Sequence, residues 1–491
     1  MKYYVLKNRR FGILTGRISK ESFIAINFVV AGAVLSIVSL VLHIHIILFL
    51  GGALVVLGLS WFPSFLVGYA LGGYYFYLLA LEYSGLTKGD TNYTAVYYAC
   101  IHGFTIFSLL IYHYRKGNLF KSLNRNLWTV LIFTTYILIQ YVLFSKTAGA
   151  TKKLGFFVIM GIPALLAGTL LDRNVAVRAL KIAFGFAFFL SIYNLFKLIQ
   201  NPTSAMFMAS TTAMTTFNYH GQTYLLSSGF IIMMSLVFFR KIDQRSKVIL
   251  YLIFAIYIPF FFIALILAGS RGGTLGFVVI MIIMLVYIFI YKRKSRKIGY
   301  VLAFIFIAIM MAFIWNGVSS RFHGGAGRLM ETKQLLDLTT GDISESETGD
   351  FISERVDIIR DEFERFAVTP IIGIGFGNAS ENYAYAHNYL LEVLFETGVI
   401  GLILLILILY KVVKQVIKIW KESILKPNNQ DNFLVVFTFL WVYFAIVGLF
   451  SSSLFDSYYL WFCIGAIWNP LLQLNYMDRT IYKLSTVTEG T

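Results

Sequence analysis

The 491-residue chain carries little charge and almost no cysteine. Charged residues make up 13% of it, against the quarter or so usual for a soluble globular protein, which excludes a soluble enzyme and a charge-rich disordered tail. Its two cysteines, Cys100 and Cys463, lie inside apolar segments, so a disulfide framework and a cysteine metal cluster are excluded and both read as packing residues. What the chain has instead is apolar and aromatic mass, 58% and 17% of its residues. At about 20 apolar residues per crossing, that content suits a protein with many membrane spans.

Hydropathy predicts spans near 24–42, 45–61, 63–82, 93–113, 127–145, 154–171, 179–199, 223–239, 248–268, 273–291, 299–316, 388–410, 432–450 and 457–475. Six Lys/Arg precede the first, whose apolar run is too long for a signal-peptide core. With alternating loops, 29 of the 41 Lys/Arg fall on the side of the N-terminus and 12 on the other. Of the 24 acids, 7 share the N-terminal side and 17 lie opposite. This is the positive-inside pattern, with both termini cytoplasmic. The net charge of +17 is therefore a topology signal, and no nucleic-acid partner is expected.

One connection on the outer side, 317–387, is far longer than ordinary loops and is expected to carry function. Its Leu338–Asp350 stretch reads as flexible and acidic. In 351–366, Ile352, Val356, Ile359, Phe363 and Phe366 recur at helical spacing, predicting an amphipathic helix against the membrane surface or the bundle mouth. On a helical wheel Arg355 borders that stripe, whereas Arg365 points away, to water. Pro370 then ends the helix.

Gly373, Gly375 and Gly377 alternate after it, as a tight turn or a nest of amides for an anion; the turn is the better reading. Asn388, Glu392 and Glu396 follow at four-residue steps on one face of the next helix. Glu392 suits a capping role in the first turn. Glu396 lies deeper, where a charge marks function or an internal partner. His387 lies at the membrane boundary, where position alone favours a structural role. In the Ser270-Arg271-Gly272-Gly273 hairpin an arginine sits at an outer tip, and its guanidinium fork suits phosphate oxygens.

The order of these features resembles the O-antigen ligase and polymerase superfamily: the Ser270–Gly273 hairpin, the long loop with its Glu354-Arg355 helix, the Thr369–Gly377 turn, and His387-Asn388 opening a span that runs on to Glu396-Thr397-Gly398-Val399-Ile400-Gly401. The resemblance spans about 262–405. It implies an all-α integral membrane protein of 12–14 spans in the bacterial cytoplasmic membrane, with one large extracytoplasmic loop bearing short amphipathic helices. Its regions would be an N-terminal bundle over 1–250, a hairpin region over 251–316, a catalytic loop over 317–387, and C-terminal helices with a cytoplasmic tail over 388–491.

The implied activity is glycosyl transfer from an undecaprenyl-diphosphate-linked glycan, on the outer membrane face, without metal or cofactor. The resemblance carries diphosphate binding onto Arg271 and Arg355, and activation of the acceptor hydroxyl onto His387, with Asn388, Glu396 and Gly375 in support. Expected partners are the lipid-linked donor, a glycan or lipid acceptor, membrane lipids, and a chain-length regulator or flippase. The leading expectation is a polymerase of surface polysaccharide repeat units. A ligase moving finished glycan to a lipid or protein is the near alternative, and a polysaccharide flippase or secondary transporter the alternative of another class. A carrier should show internal repeats and charged or broken helices at mid-membrane. No repeat is evident, and the conspicuous polar residues cluster toward one face.

The charge partition is directly testable. With cysteines introduced at Glu345 and Ser295, a membrane-impermeant thiol reagent on intact cells should modify 345 and spare 295; the reverse would overturn the topology.

Overall fold

A computed structural model describes residues 27, 31, 58, 62–74, 91–116, 124, 126–145, 147–200, 219–239, 244–268, 270–291, 349–380, 388–425, 433–451, 453–455, 457–470 and 472. Every regular element among them is helical. The spans expected at 24–42, 45–61 and 299–316 fall almost wholly outside these residues, as does the acidic stretch apart from Gly349 and Asp350, which open a helix. Five helices are long and apolar enough to cross a membrane: Leu127–Phe144, Ala148–Thr169, Arg173–Phe196, Val248–Leu265 and Tyr389–Leu425. Four shorter apolar helices accompany them, at Gln222–Phe238, Gly272–Ile288, Leu434–Phe450 and Tyr458–Trp468. The protein is thus an all-α, multi-pass membrane protein.

In chain order the helices are α1 (Pro63–Gly72), α2 (Thr91–Arg115), α3 (Leu127–Phe144), α4 (Ala148–Phe156), α5 (Ile162–Thr169), α6 (Arg173–Gln200), α7 (Tyr219–Phe239), α8 (Gln244–Ala268), α9 (Arg271–Tyr291), α10 (Gly349–Val368), α11 (Tyr389–Leu425), α12 (Leu434–Ser451) and α13 (Tyr458–Trp468). A wide turn, Phe157–Gly161, joins α4 to α5 just before Pro163. Proline has no amide to return to the preceding turn, and widening the helix there absorbs the defect. The core is continuous and aromatic, with α6 packing on α1, α7 and α8, α5 on α13, and α12 on α9 and α13. Of the two cysteines, Cys463 is buried in α13 as expected, whereas Cys100 lies on an exposed face of α2, so the packing expectation fails for it.

Several helix ends gather at one end of the bundle. Gly273, near the start of α9, approaches Thr223 near the start of α7, and Gly276 approaches Val447 in the last turns of α12. The segment after α12 then bonds to Glu392 near the start of α11, which in turn pairs with Lys153 in α4, near the start of the Ala148–Thr169 span. This is the end that the charge partition predicts to be outside.

The feature that shapes this end is a break in α11. At Gly398 the backbone leaves the helix, with φ 71° and ψ −172°. The helical hydrogen bonds lost there are replaced by the loop after α10. Amides of Ile374 and Gly375 donate to the carbonyls of Phe395 and Glu396 at 2.9 and 3.0 Å. Amides of Val399 and Ile400 donate back to Pro370 and Ile371 at 3.0 and 3.3 Å. Tyr136 of α3 caps the Thr397 carbonyl at 2.8 Å. No water is needed to satisfy these groups, the condition for irregular backbone inside a membrane protein.

Gly398→Ala should therefore destabilise the protein strongly. A Cβ there would lie 2.2 Å from the Ile371 carbonyl oxygen, on a backbone of positive φ. The backbone strain alone is on the order of 1–3 kcal/mol. The thermal midpoint in detergent should fall by several degrees; an unchanged midpoint would mean the break is not formed.

Candidate functional site

The site is assembled from the start of α11, the last turn of α4, the end of α10 and the glycine turn between α10 and α11. Asn388 opens α11, its side-chain oxygen accepting the amides of Leu390 and Leu391 at 2.9 and 3.2 Å. It is the helix cap, so Glu392 does not serve as one. Freed from that role, Glu392 is 1% exposed and accepts from Ser453 Oγ at 2.6 Å and from the Leu454 amide at 2.9 Å.

Between Glu392 and Glu396 lies the ammonium of Lys153, 2.6 Å from an oxygen of each. Glu396 is fully buried, as its depth in the helix foretold, and Lys153 is the internal partner. Carboxylates one helical turn apart face the same side, so one cation from α4 can meet both. The Gly377 amide also bonds the Glu396 carboxylate. Beneath the ammonium stand the rings of Phe455 and Phe376, 5.1 and 5.8 Å from it. One ammonium thus serves two carboxylates.

The glycine turn is a turn and not an open anion nest. Its amides are engaged: Gly373 with Thr369, Ile374 and Gly375 with α11, Gly377 with Glu396, and Asn378 with Gly375. Gly375 has φ +99°, and a Cβ there would meet Asn378 Nδ2 at 2.5 Å and the Phe144 carbonyl at 2.9 Å. Asn378 Nδ2 bridges the carbonyls of Phe144 and Ile374 at 2.9 and 2.8 Å, Ser145 bonds the Phe376 carbonyl, and Thr147 bonds that of Gly377 at 3.1 Å. Phe376 is fully buried, edge-on to Phe455 with centroids 4.9 Å apart. The turn is thereby fastened to α3, α4 and α11 together.

The amphipathic helix packs differently from the expectation drawn from apolar spacing. Ile359 and Phe366 face Leu391, Leu394 and Phe395 of α11, but Phe363 is 57% exposed and the residue between them on the packed face is Glu362, 2% exposed. The hydrophobic count placed the stripe one position off because it gave no weight to a carboxylate as an inward group. The rotation also corrects Arg365, which is half-buried and donates to the Asn378 carbonyl at 3.3 Å instead of facing water. Among the described residues neither carboxylate oxygen of Glu362 has a hydrogen-bond partner. Burial first, and the nearby Glu396 carboxylate second, push Glu362 up to about 8; Lys153 opposes them, Glu392 adds to them and Arg365 opposes. Its neutral form is the stable one at neutral pH.

Residues 256–406 match the family model described as O-Antigen ligase. Over that block the chain is similar to the O-antigen ligase family, part of the surface-polysaccharide ligase and polymerase superfamily. No curated protein matches it significantly. It is thus a multi-pass membrane protein in which one block is similar to a family of polysaccharide-biosynthesis enzymes.

The matched block, roughly a third of the chain, contains Arg271, Arg355, Gly375, His387, Asn388 and Glu396. Arg271 is the first residue of α9, behind the fully buried Ser270, and Arg355 lies in α10; their side chains and the whole of His387 lie outside the described residues. Sequence reasoning missed Lys153, which lies before the block, and Glu362, which lies inside it. A lysine pair, Lys152-Lys153, at the edge of a span on the side poor in basic residues was the available signal for the first. No group of three or more His, Cys, Asp and Glu among the described residues stands close enough to hold a metal, so the three glutamates are not a metal cage.

Removing Lys153 should be worse than removing the whole cluster. Lys153→Met leaves two buried carboxylates without their cation, a loss of roughly 3–5 kcal/mol. Adding Glu392→Gln and Glu396→Gln should restore most of the thermal midpoint. A single Lys153→Met variant as stable as the parent would contradict the buried ion pair.

Proposed function

We propose that this protein is a membrane glycosyltransferase that moves an undecaprenyl-diphosphate-linked glycan onto an acceptor hydroxyl at the outer face of the cytoplasmic membrane. The observation that carries this reading is the O-antigen ligase match over 256–406, which contains every residue assigned to the chemistry. The description of that family favours ligation of finished glycan to a lipid or protein over polymerisation of repeat units. In either reaction the acceptor oxygen attacks the anomeric carbon and the diphosphate leaves with the bonding electrons.

The residues fit that chemistry. Arg271 and Arg355 are assigned to the diphosphate, where fixed cations stabilise the charge that develops as the leaving group departs. Their planar forks suit two phosphate oxygens at once. His387 is assigned to orienting or deprotonating the acceptor hydroxyl, being adjacent to the cap residue Asn388. A helix N-terminus disfavours imidazolium, keeping a histidine there available as a base. Transfer by this route assigns no step to a metal or cofactor.

Purified protein in vesicles, given a lipid-linked repeat unit and a separate lipid acceptor, tests the reading. One-step transfer to the second acceptor supports ligation, a ladder supports polymerisation, and absence of any covalent product overturns the transferase. Arg271→Ala and Arg355→Ala should each lower the rate about a hundredfold, and Arg271→Lys should recover little. His387→Asn, which leaves the Asn388 cap in place, should abolish transfer at normal expression. Near-normal product from that variant would remove the base assignment.

A further inference from the structure

Arg271 stands in a helix turn that is held on two sides. Ser270, fully buried, closes that turn: its carbonyl accepts the Thr274 amide at 2.9 Å and its hydroxyl accepts the Gly273 amide at 3.3 Å. Gly273 lies against α7, where a Cβ would stand 2.5 Å from Cγ2 and 3.0 Å from Cβ of Thr223. Gly276, one turn on, lies against α12, where a Cβ would stand 2.7 Å from Cγ2 of Val447. Glycine at both positions lets the backbones approach this closely. The Tyr443 hydroxyl, buried where the three helices meet, is 3.5 Å from the carbonyl oxygens of both Thr223 and Gly273. Residues 270 and 273 flank Arg271, so the backbone of the arginine is fixed with theirs. Thr223 and Tyr443 lie outside the block 256–406 that the family model matches.

We propose that Thr223 is a positioning residue for Arg271: its side chain, seated against Gly273, sets the place from which the arginine meets the diphosphate of the donor. The role rests on the transferase reading above, in which Arg271 is a diphosphate ligand. A guanidinium fork engages two phosphate oxygens only from the right distance and direction, and a misplacement of about 1 Å can cost on the order of a hundredfold in rate. A loose hairpin would have to find that place at each turnover, whereas a turn seated on α7 and α12 holds it before the donor arrives. Thr223 is fully buried, so its side chain has no room to give way. Gly276 is seated on α12 in the same way. A methyl group added at residue 273 therefore displaces the first turn of α9, and Arg271 with it.

A double-mutant cycle separates positioning from plain packing. Gly273→Ala should lower the transfer rate about tenfold where Arg271 is present and less than about twofold in an Arg271→Ala background, because the displaced group is already gone. Thr223→Ala removes Cγ2, the atom nearest the added methyl. It should restore most of the rate to Gly273→Ala and none to Arg271→Ala. Should Gly273→Ala not fold, Ser270→Ala loosens the same turn without added bulk and should show the same dependence on Arg271. Equilibrium binding of undecaprenyl diphosphate without a glycan, to the protein in nanodiscs, repeats the cycle without turnover. An equal loss from Gly273→Ala with and without Arg271, or a loss that Thr223→Ala does not repair, overturns the positioning role. A binding cycle that keeps its coupling in a protein that forms no product overturns the transferase reading instead. Absence of both binding and product overturns the two together.

Discussion

The ammonium of Lys153, held between the carboxylates of Glu392 and Glu396, is the interaction on which this end of the molecule depends. Burying three charges is expensive, and an ion pair of this kind adds little to stability by comparison with apolar packing. What it does is fix geometry. One nitrogen joins α4 to two successive turns of α11, Glu392 extends the tie to the segment between α12 and α13, and Glu396 extends it to the glycine turn. Four parts of the chain that are distant in sequence are brought into register around a single cation.

The break at Gly398 follows from the same arrangement. A helix that ran straight through would leave the amides of Ile374 and Gly375 and the carbonyls of Pro370 and Ile371 without their partners in α11. The turn instead completes the helix from outside, and its Phe376 reaches down to the aromatic floor under Lys153. This couples α10 to the bundle. Because α10 also bears Arg355, the backbone that closes the break positions the helix to which one proposed diphosphate ligand is assigned.

Much of this was legible in the sequence, in proportion to how local the signals were. Spans appear as long apolar runs, Pro370 marks the end of α10, and the four-residue steps of Asn388, Glu392 and Glu396 put one face of α11 in view. The pairing with Lys153 was not legible, because its partner lies 243 residues away and a lysine next to a span boundary reads as a loop charge. Glu362 escaped because an amphipathic pattern is scored by apolar residues, and a carboxylate on the packed face looks like solvent-facing polarity. Gly398 looked like any small residue of a membrane helix; only the tertiary partners on the glycine turn show that its φ is positive.

An electron cryomicroscopy map of the protein with a bound undecaprenyl-diphosphate glycan tests the central claim most directly. The account predicts diphosphate density at the end of the bundle where α9 and α11 begin, contacting Arg271 and Arg355, with the sugar lying toward His387 over an intact Lys153–Glu392–Glu396 cluster. Density for the diphosphate at the opposite end of the bundle, or a Lys153 side chain turned away from both glutamates, would contradict it.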